Sequence, residues 1–350
     1  MKILFVGLKH LDGIINGQKS YEYNNFFFNL KKIYQNVDGL FIDEEISKYG
    51  YLDMNKKILK ISQNYNILFF FAYKNDFELN TLKILKNNKN LKTICWMSDD
   101  DWRYEIYSRK FINHFDLIVT TYNSAFKKYK RDGEKNIFLS QWPSCPIESI
   151  NDNIEKKIDV SFVGQRYGNR GKYIKSIDNK KVDLKVYGKG WNNFNFYNGD
   201  INKIFLNSKI NLNFTKSSTG ISIKNLAKVF FNKSTDQKIN LNKFSEMPKI
   251  FNNLILSKNT QIKSRPFEIM ACKSFLLSEY SDGLLNYFEP EKDFDYFINE
   301  KQLIEKINHY LINKEERELI AKNGFQKILK YHTFEKRFSE LFNFLNIIPK

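Results

Sequence analysis

A chain of 350 residues, 42% hydrophobic and 16% aromatic, is too long for one typical domain and apolar enough to bury two cores, which excludes a disordered or fibrous class. The formal net charge of +17 points to anionic partners such as nucleotides, phosphates, nucleic acid or an anionic membrane, but the basic residues are dispersed and form no long Lys/Arg block. Cys95, Cys145 and Cys272 lie far apart with no CxxC pair, so the sequence indicates neither a zinc site nor a disulfide scaffold and fits a reducing cytoplasm, with Cys95 and Cys272 as core residues.

The chain starts with a strand, Lys2 to Val6, running into Gly7, rather than with a signal peptide. The later apolar run from Ile67 to Tyr73 is far too short to span a membrane. A loop from Lys9 to Lys19 leads to Ser20, a good N-cap for a helix reaching about Tyr34. Further strands are expected at 37–42, 66–72, 91–97, 116–120 and 137–139, with helices at 55–63, 79–87, 104–113 and 124–129 between them. This alternation with short connections argues a parallel, doubly wound α/β sheet, whose ligands gather at the carboxyl ends of its strands.

Two of those ends carry chemistry. Lys9, His10 and Ser20 to Glu22 follow the first strand, and Asp99-Asp100-Asp101 follow the fourth. Three adjacent carboxylates repel one another, which raises a pKa and can create a general base. The same triplet can bind a divalent cation. The structural alternative is that Asp99 caps the next helix, the other two are solvated, and His10 is an ordinary loop residue.

Trp142-Pro143-Ser144-Cys145-Pro146 and the polar residues up to 157 form a linker, after which the pattern restarts. A strand from Asp159 to Val163 ends at Gly164, and a loop bearing Arg166 and Arg170 opens a helix, an arrangement suited to an anion though neither GxGxxG nor a Walker loop. The next strand ends in Tyr187-Gly188-Lys189-Gly190. Residues 216–258, polar and basic, break the rhythm as an insertion or mobile lid. Lys263 and Arg265 then precede a helix with Pro266 at its first position and Glu268 in its first turn, followed by the strand Phe275 to Leu277 and the turn Ser281-Asp282-Gly283. Taken alone, Glu268 fits a capping carboxylate and Arg265 a surface charge. Helices at 300–312, 314–330 and 333–345 close the chain, the last with Phe334, Phe338, Leu341, Phe342 and Leu345 on one face.

The ordered set Asp159-Val-Ser-Phe-Val-Gly164, Tyr187-Gly-x-Gly-Trp191, Lys209-Ile-Asn-Leu-Asn213, Gln261-Ile-Lys-x-Arg-x-Phe-Glu268, Phe288-Glu-Pro-Glu291 and His332-Thr-Phe-x-x-Arg337 resembles the CgeB-like (spore-maturation-type) glycosyltransferases. These are a GT-B group whose C-terminal half is related to the glycogen-synthase-like (group 1) transferases. The likeness covers about 159–340. It implies two Rossmann-like domains facing a cleft: an acceptor domain at 1–148, a nucleotide-sugar domain at 158–332 with the 216–258 insertion, and a C-terminal helix at 333–350 returning to the first domain.

By the same resemblance, Glu268 holds the ribose hydroxyls, and Arg166, Arg170, Lys263 and Arg265 neutralise the diphosphate. Tyr187 and Gly188 border the base, and the loop through Ser281, Asp282 and Gly283, with Gly164 opposite, approaches the sugar or phosphates. Thr260 stands where relatives carry an acid, eight positions before the ribose-binding Glu, so retaining and inverting chemistry both stay open.

The expected activity is sugar transfer from a nucleotide-diphosphate sugar, a UDP-sugar, to a glycan, lipid-linked or protein acceptor, without cofactor or metal. If the reaction inverts, Asp100, Asp99 and His10, in that order, are the candidate bases. Three alternatives remain: a metal-dependent GT-A-type transferase using Asp99 to Asp101; a basic nucleic-acid-binding or nucleic-acid-modifying protein, which no RNP, helix-turn-helix or zinc signature supports; and a GT-B epimerase that needs no acceptor. The expected location is cytoplasmic, with peripheral membrane contact drawn from charge and aromatic content.

Overall fold

The computed structural model describes residues 1–72, 74, 76–147, 155–191, 201–215, 223–256 and 262–347. In chain order the strands are β1 (Ile3–Gly7), β2 (Val37–Phe41), β3 (Ile67–Ala72), β4 (Lys92–Met97), β5 (Leu117–Thr120), β6 (Ile137–Leu139), β7 (Ile158–Val163), β8 (Leu184–Tyr187), β9 (Ser208–Asn213), β10 (Phe231–Lys233), β11 (Ile239–Leu241), β12 (Leu276–Glu279) and β13 (Asp295–Phe297). They form two parallel sheets, ordered β2-β1-β3-β4-β5-β6 and β13-β12-β9-β7-β8, and one small antiparallel hairpin, β10-β11. The chain divides into two compact units. The first contains Met1–Gln141, Ile221–Ser257 and Phe334–Lys350, and the second contains Trp142–Gly220 and Lys258–Thr333.

In the first unit the central strands are apolar on both faces because helices cover both, as a parallel sheet requires. All five residues of β1 are buried, and so are the first five of β3. On one face Leu4, Val6, Leu68, Phe70, Cys95 and Met97 pack on Ile58, Leu82, Tyr104, Phe111 and Tyr129. On the other, Phe69 and Phe26 meet Phe338 of the final helix (Phe334–Phe344) at ring-centroid distances of 5.7 and 6.1 Å, and Phe334 lies 5.4 Å from Phe26.

Three local features differ from the sequence reading. The helix after Ser20 begins as a π-helical stretch, Glu22–Phe27, before Phe28–Ile33 becomes α-helical. An unanticipated helix, Ile42–Tyr49, follows β2 directly. The helix expected at 104–113 is instead a short turn of helix, Asp100–Arg103, and a 3₁₀ turn, Ser108–Phe111.

Residues 223–256, expected as an insertion in the second domain, pack with the first unit. The Thr235 hydroxyl donates to Asp76, the Lys74 amine donates to the Ser234 carbonyl at 3.1 Å, and the Gln237 amide donates to the Asp12 carbonyl at 2.9 Å. These contacts tie the turn of the hairpin to the loops after β1 and β3.

In the second unit the core runs through Val160, Phe162, Ile210, Leu212, Phe275, Leu277 and Phe297 to Leu303 and Ile307 of the helix Glu300–Ile312. Asn299 caps that helix by accepting from the Gln302 N–H at 2.9 Å. The helix Lys314–Tyr331 crosses close to Arg265–Ala271 at Gly324. A Cβ there would stand 2.4 Å from the Asp293 carbonyl oxygen and 3.0 Å from the Met270 sulfur.

Ala is better than Gly within a helix by about 1 kcal/mol, but overpacking costs about 1–3 kcal/mol and here involves backbone. Gly324→Ala is therefore expected to lower stability in urea unfolding. An unchanged or raised midpoint would contradict the close crossing.

Candidate active site

Doubly wound sheets bind ligands outside the carboxyl ends of their strands, where the strand order reverses. In the first unit that reversal lies at β1, which has β2 on one side and β3 on the other. β1 leads into Leu8-Lys9-His10, and β2 leads into Ile42-Asp43. Asp43 is the centre of the resulting cluster. Its carboxylate accepts from the Lys9 N–H at 2.8 Å, the His10 N–H at 2.9 Å and His10 Nδ1 at 2.8 Å.

An ionised carboxylate only accepts, so Nδ1 carries the His10 proton and Nε2 is left as a lone pair. Nε2 faces the amine of Lys19 at 3.0 Å. His10 and Asp43 are both buried, whereas Lys19 is exposed. The arrangement orients the imidazole through Asp43 and sets the exposed Lys19 amine against its other ring nitrogen.

Glu22 lies in the same region. Ser20 holds the chain there by donating to the Leu8 carbonyl at 2.7 Å and accepting from the Tyr23 N–H at 3.0 Å. Burial pushes the Glu22 carboxyl up to about 8, with the charges of Asp43 and Asp12 adding to the shift. Glu22 is therefore mostly protonated at neutral pH. On the other side of β1, Arg103 and Lys110 lie 4.1 and 4.6 Å from the ring of Tyr107. Burial and the Arg103 charge lower Lys110 to about 8.

The acidic triplet does not converge on one point. Asp100, expected as the leading base, is fully buried, accepts from the Thr120 hydroxyl at 3.0 Å, and is raised well above the usual carboxylate range by desolvation. A carboxyl without solvent access is not placed to meet an acceptor hydroxyl. Asp99 sits at the N-cap of the short helix with a left-handed φ of 60° and makes no side-chain cap. Such a backbone is uncommon outside glycine, and Asp is one of the few residues that tolerate it. Asp101 is half-buried beside them. Among the described residues no group of three His, Cys, Asp or Glu side chains is placed to hold a metal ion.

In the second unit the reversal lies between β7 and β9. Gly164 follows β7; its N–H donates to the Tyr187 carbonyl and its own carbonyl accepts from the Trp191 indole, both at 2.9 Å. A Cβ at Gly164 would stand 2.7 Å from the Phe162 ring. The Arg166 N–H donates to the Lys189 carbonyl at 2.8 Å, which couples this loop to Gly188 and Gly190, whose φ values of 126° and 87° suit glycine. The Arg166 guanidinium is exposed, 5.3 Å from the Trp191 ring, and makes no ion pair among the described residues.

Arg170, expected on the diphosphate, is instead buried. It donates to the carbonyls of Gln165 at 3.0 Å and Phe214 at 3.2 Å, and lies 3.7 Å from the Tyr167 ring. It braces the loop across the strand reversal.

Arg265 and Glu268 form an ion pair at 2.7 Å, each about one-fifth exposed. Glu268 Oε1 has no hydrogen bond among the described residues. Lys263 is half-buried just before their helix. Asp282 is exposed and accepts from the Tyr280 hydroxyl, while the Ser281 hydroxyl is buried with no hydrogen-bond partner among the described residues. Gly283 packs on Ile262, which would meet a Cβ at 2.7 Å. Glu279, at the end of β12, is buried and accepts from the Thr215 N–H at 3.1 Å and the Asn169 amide at 3.3 Å, tying together the loops after β7, β9 and β12. Thr260 lies outside the described residues.

Residues 170–343 match the family model described as glycosyl transferase-like. Over 258 residues the chain is 20% identical to Spore protein CgeB of Bacillus subtilis (strain 168), covering 71% of this chain and 73% of that protein. Anabaena HepE, in a crystal structure in complex with UDP-glucose, aligns over 99% of each chain with a TM-score of 0.59 and 9% identity. Residues 170–343 are thus glycosyl transferase-like, and the chain has the GT-B fold. The DNA modifying enzyme beta-glucosyltransferase also aligns, over 99% of this chain and 100% of that one, with a TM-score of 0.54 and 12% identity.

The GT-B fold, with two parallel sheets, removes the GT-A reading of the acidic triplet. Two residues of the candidate site, Asp43 and Glu279, escaped the sequence reading. A signal existed for both, since each stands at or just past the carboxyl end of an apolar strand, but their partners are distant in sequence: His10 is 33 residues from Asp43, and Thr215 is 64 from Glu279.

The Glu22 environment has a consequence for stability. The unfolded chain releases this proton near 4.5 and the folded chain near 8, so the folded state binds more protons between those values and stability falls as pH rises through that window. Glu22→Gln is expected to flatten that decline by up to about 4 kcal/mol between pH 5 and pH 8.5. Parallel stability–pH curves for wild type and variant would contradict the assignment.

Proposed function

We propose that the protein transfers a sugar from a UDP-sugar to a hydroxyl of a glycan or lipid-linked acceptor, with inversion, and that His10 is the general base. The observation that carries this reading is the Asp43–His10 pair: a buried carboxylate fixes one tautomer and leaves Nε2 able to accept a proton. Asp43 is a positioning residue that also stabilises the imidazolium formed on proton transfer. Lys19 must leave Nε2 for an acceptor hydroxyl to take its place.

On the second unit, the donor diphosphate is bound by Arg166 and Lys263, with Arg170 holding the loop. Glu268 takes the ribose hydroxyls through Oε1. Arg265 holds Glu268 in place through their 2.7 Å ion pair, so its role shifts from phosphate ligand to support. Tyr187 and Gly188 border the base, and the segment Ser281 to Gly283, including the buried Ser281 hydroxyl, faces the phosphates or sugar. Departure of the nucleoside diphosphate builds negative charge on its terminal phosphate, and an arginine already aimed there stabilises that charge without reorganisation. Support for the donor class comes from the glycosyl transferase-like segment and the fold shared with the UDP-glucose complex of HepE.

A thermal-shift panel of UDP, GDP, CMP, dTDP and their sugars tests the donor. UDP ligands are expected to stabilise wild type, with the shift lost in Glu268→Ala and reduced in Arg166→Ala. Equal responses of wild type and both variants to every ligand would overturn the site. His10→Ala should keep the UDP-sugar shift and lower UDP release from that sugar by about 10²–10⁴-fold, and Asp43→Asn should do likewise with little change in KM. Wild-type turnover in His10→Ala would remove the base assignment.

A further inference from the structure

Residues 223–251 hold six lysines against one aspartate and one glutamate, and in the structure they build a hairpin with one apolar face. The register pairs Phe231 with Leu241, Asn232 with Asn240 and Lys233 with Ile239. Alternation along the strands therefore puts Phe231, Lys233, Ile239 and Leu241 on one face and the two asparagines on the other. The asparagine side is satisfied: Asn232 donates to Asn242 at 2.6 Å, and Asn242 donates to the carbonyls of Lys228 and Val229 at 2.9 and 3.0 Å. The apolar side faces solvent, with Phe231 48%, Ile239 73% and Leu241 71% exposed, and Phe244 just beyond them at 88%.

An isolated two-stranded hairpin is marginal in water. This one is pinned at its turn by Thr235 to Asp76, Ser234 to Lys74 and Gln237 to Asp12. The fold thus holds a greasy face in solvent by contacts that do not involve that face. Lys233, Lys238 and Lys243 are exposed around it.

We infer that this hairpin is a membrane-docking element that inserts Phe231, Ile239, Leu241 and Phe244 into the headgroup boundary of an anionic bilayer while the surrounding lysines meet the lipid phosphates. Charge decides the occupant. A second copy of the hairpin would set lysine against lysine, whereas an anionic lipid surface neutralises them and accepts the apolar side chains together. Among the described residues no helix is long and apolar enough to cross a membrane, so the contact is peripheral. The inference does not depend on the donor or on the base.

The test is co-sedimentation of the full chain with extruded vesicles of phosphatidylcholine alone or mixed equally with phosphatidylglycerol. Wild type should sediment with the mixed vesicles at low salt and about tenfold less with phosphatidylcholine alone. The quadruple variant Phe231→Ser/Ile239→Ser/Leu241→Ser/Phe244→Ser, and separately Lys233→Glu/Lys238→Glu/Lys243→Glu, should each lower binding to mixed vesicles about tenfold or more. Circular dichroism and the UDP-sugar thermal shift of both variants should match wild type, since none of these residues is in the proposed site. Wild-type sedimentation by the quadruple variant, or no sedimentation by wild type, would overturn the inference. A wild-type dimer in sedimentation velocity that the quadruple variant abolishes would assign the face to a second copy instead.

Discussion

The carboxylate of Asp43 accepts three hydrogen bonds from two consecutive residues, two from backbone N–H groups and one from an imidazole. A buried carboxylate is costly unless its lone pairs are met, and once they are met the geometry is fixed. Here the fixed element is the chain leaving β1. The backbone of Lys9 and His10 is anchored, the His10 tautomer is set, and Ser20 then ties the start of the next helix back to Leu8. Without that carboxylate two backbone N–H donors, one of them buried, and an imidazole would lose their acceptor, and the loop that carries the proposed base would lose its reason to adopt this shape.

The second unit uses the same device with the sign reversed. Arg170 is a buried cation whose donors meet the carbonyls of Gln165 and Phe214, on opposite sides of the strand reversal, while Glu279 meets donors from the loops after β7 and β9. These two charges organise the backbone of the loop that carries the exposed Arg166. Rigid charges inside and accessible charges outside are what the proposed diphosphate site would need, because a ligand then meets groups that do not have to be repositioned.

Much of this architecture was legible in the sequence, and for a physical reason. Strands such as β1, β3 and β4 are buried on both faces, so they stand out as short apolar runs, and the helices Leu79–Asn87 and Glu300–Ile312 carry a clear 3.6-residue period. The stretch at 104–113 misled because Tyr104, Tyr107 and Phe111 recur at helical spacing, although it is tertiary packing that buries them around turns. The site was harder to read. Asp100 looked reactive beside two other carboxylates, but its environment is set by Thr120, twenty residues on. Asp43 drew no notice beside Glu44 and Glu45, because its partners Lys9 and His10 lie more than thirty residues earlier. Arg170 and Arg166 are indistinguishable as sequence, yet one faces inward and the other outward.

The central claim is that the donor nucleotide is held at the strand reversal of the second unit. Hydrogen–deuterium exchange of the full chain with and without a saturating UDP-sugar tests it directly. The account predicts slowed amide exchange at 164–170, 187–191 and 264–269. Binding of the sugar nucleotide with protection confined to residues 1–141, and none at these three segments, would contradict it.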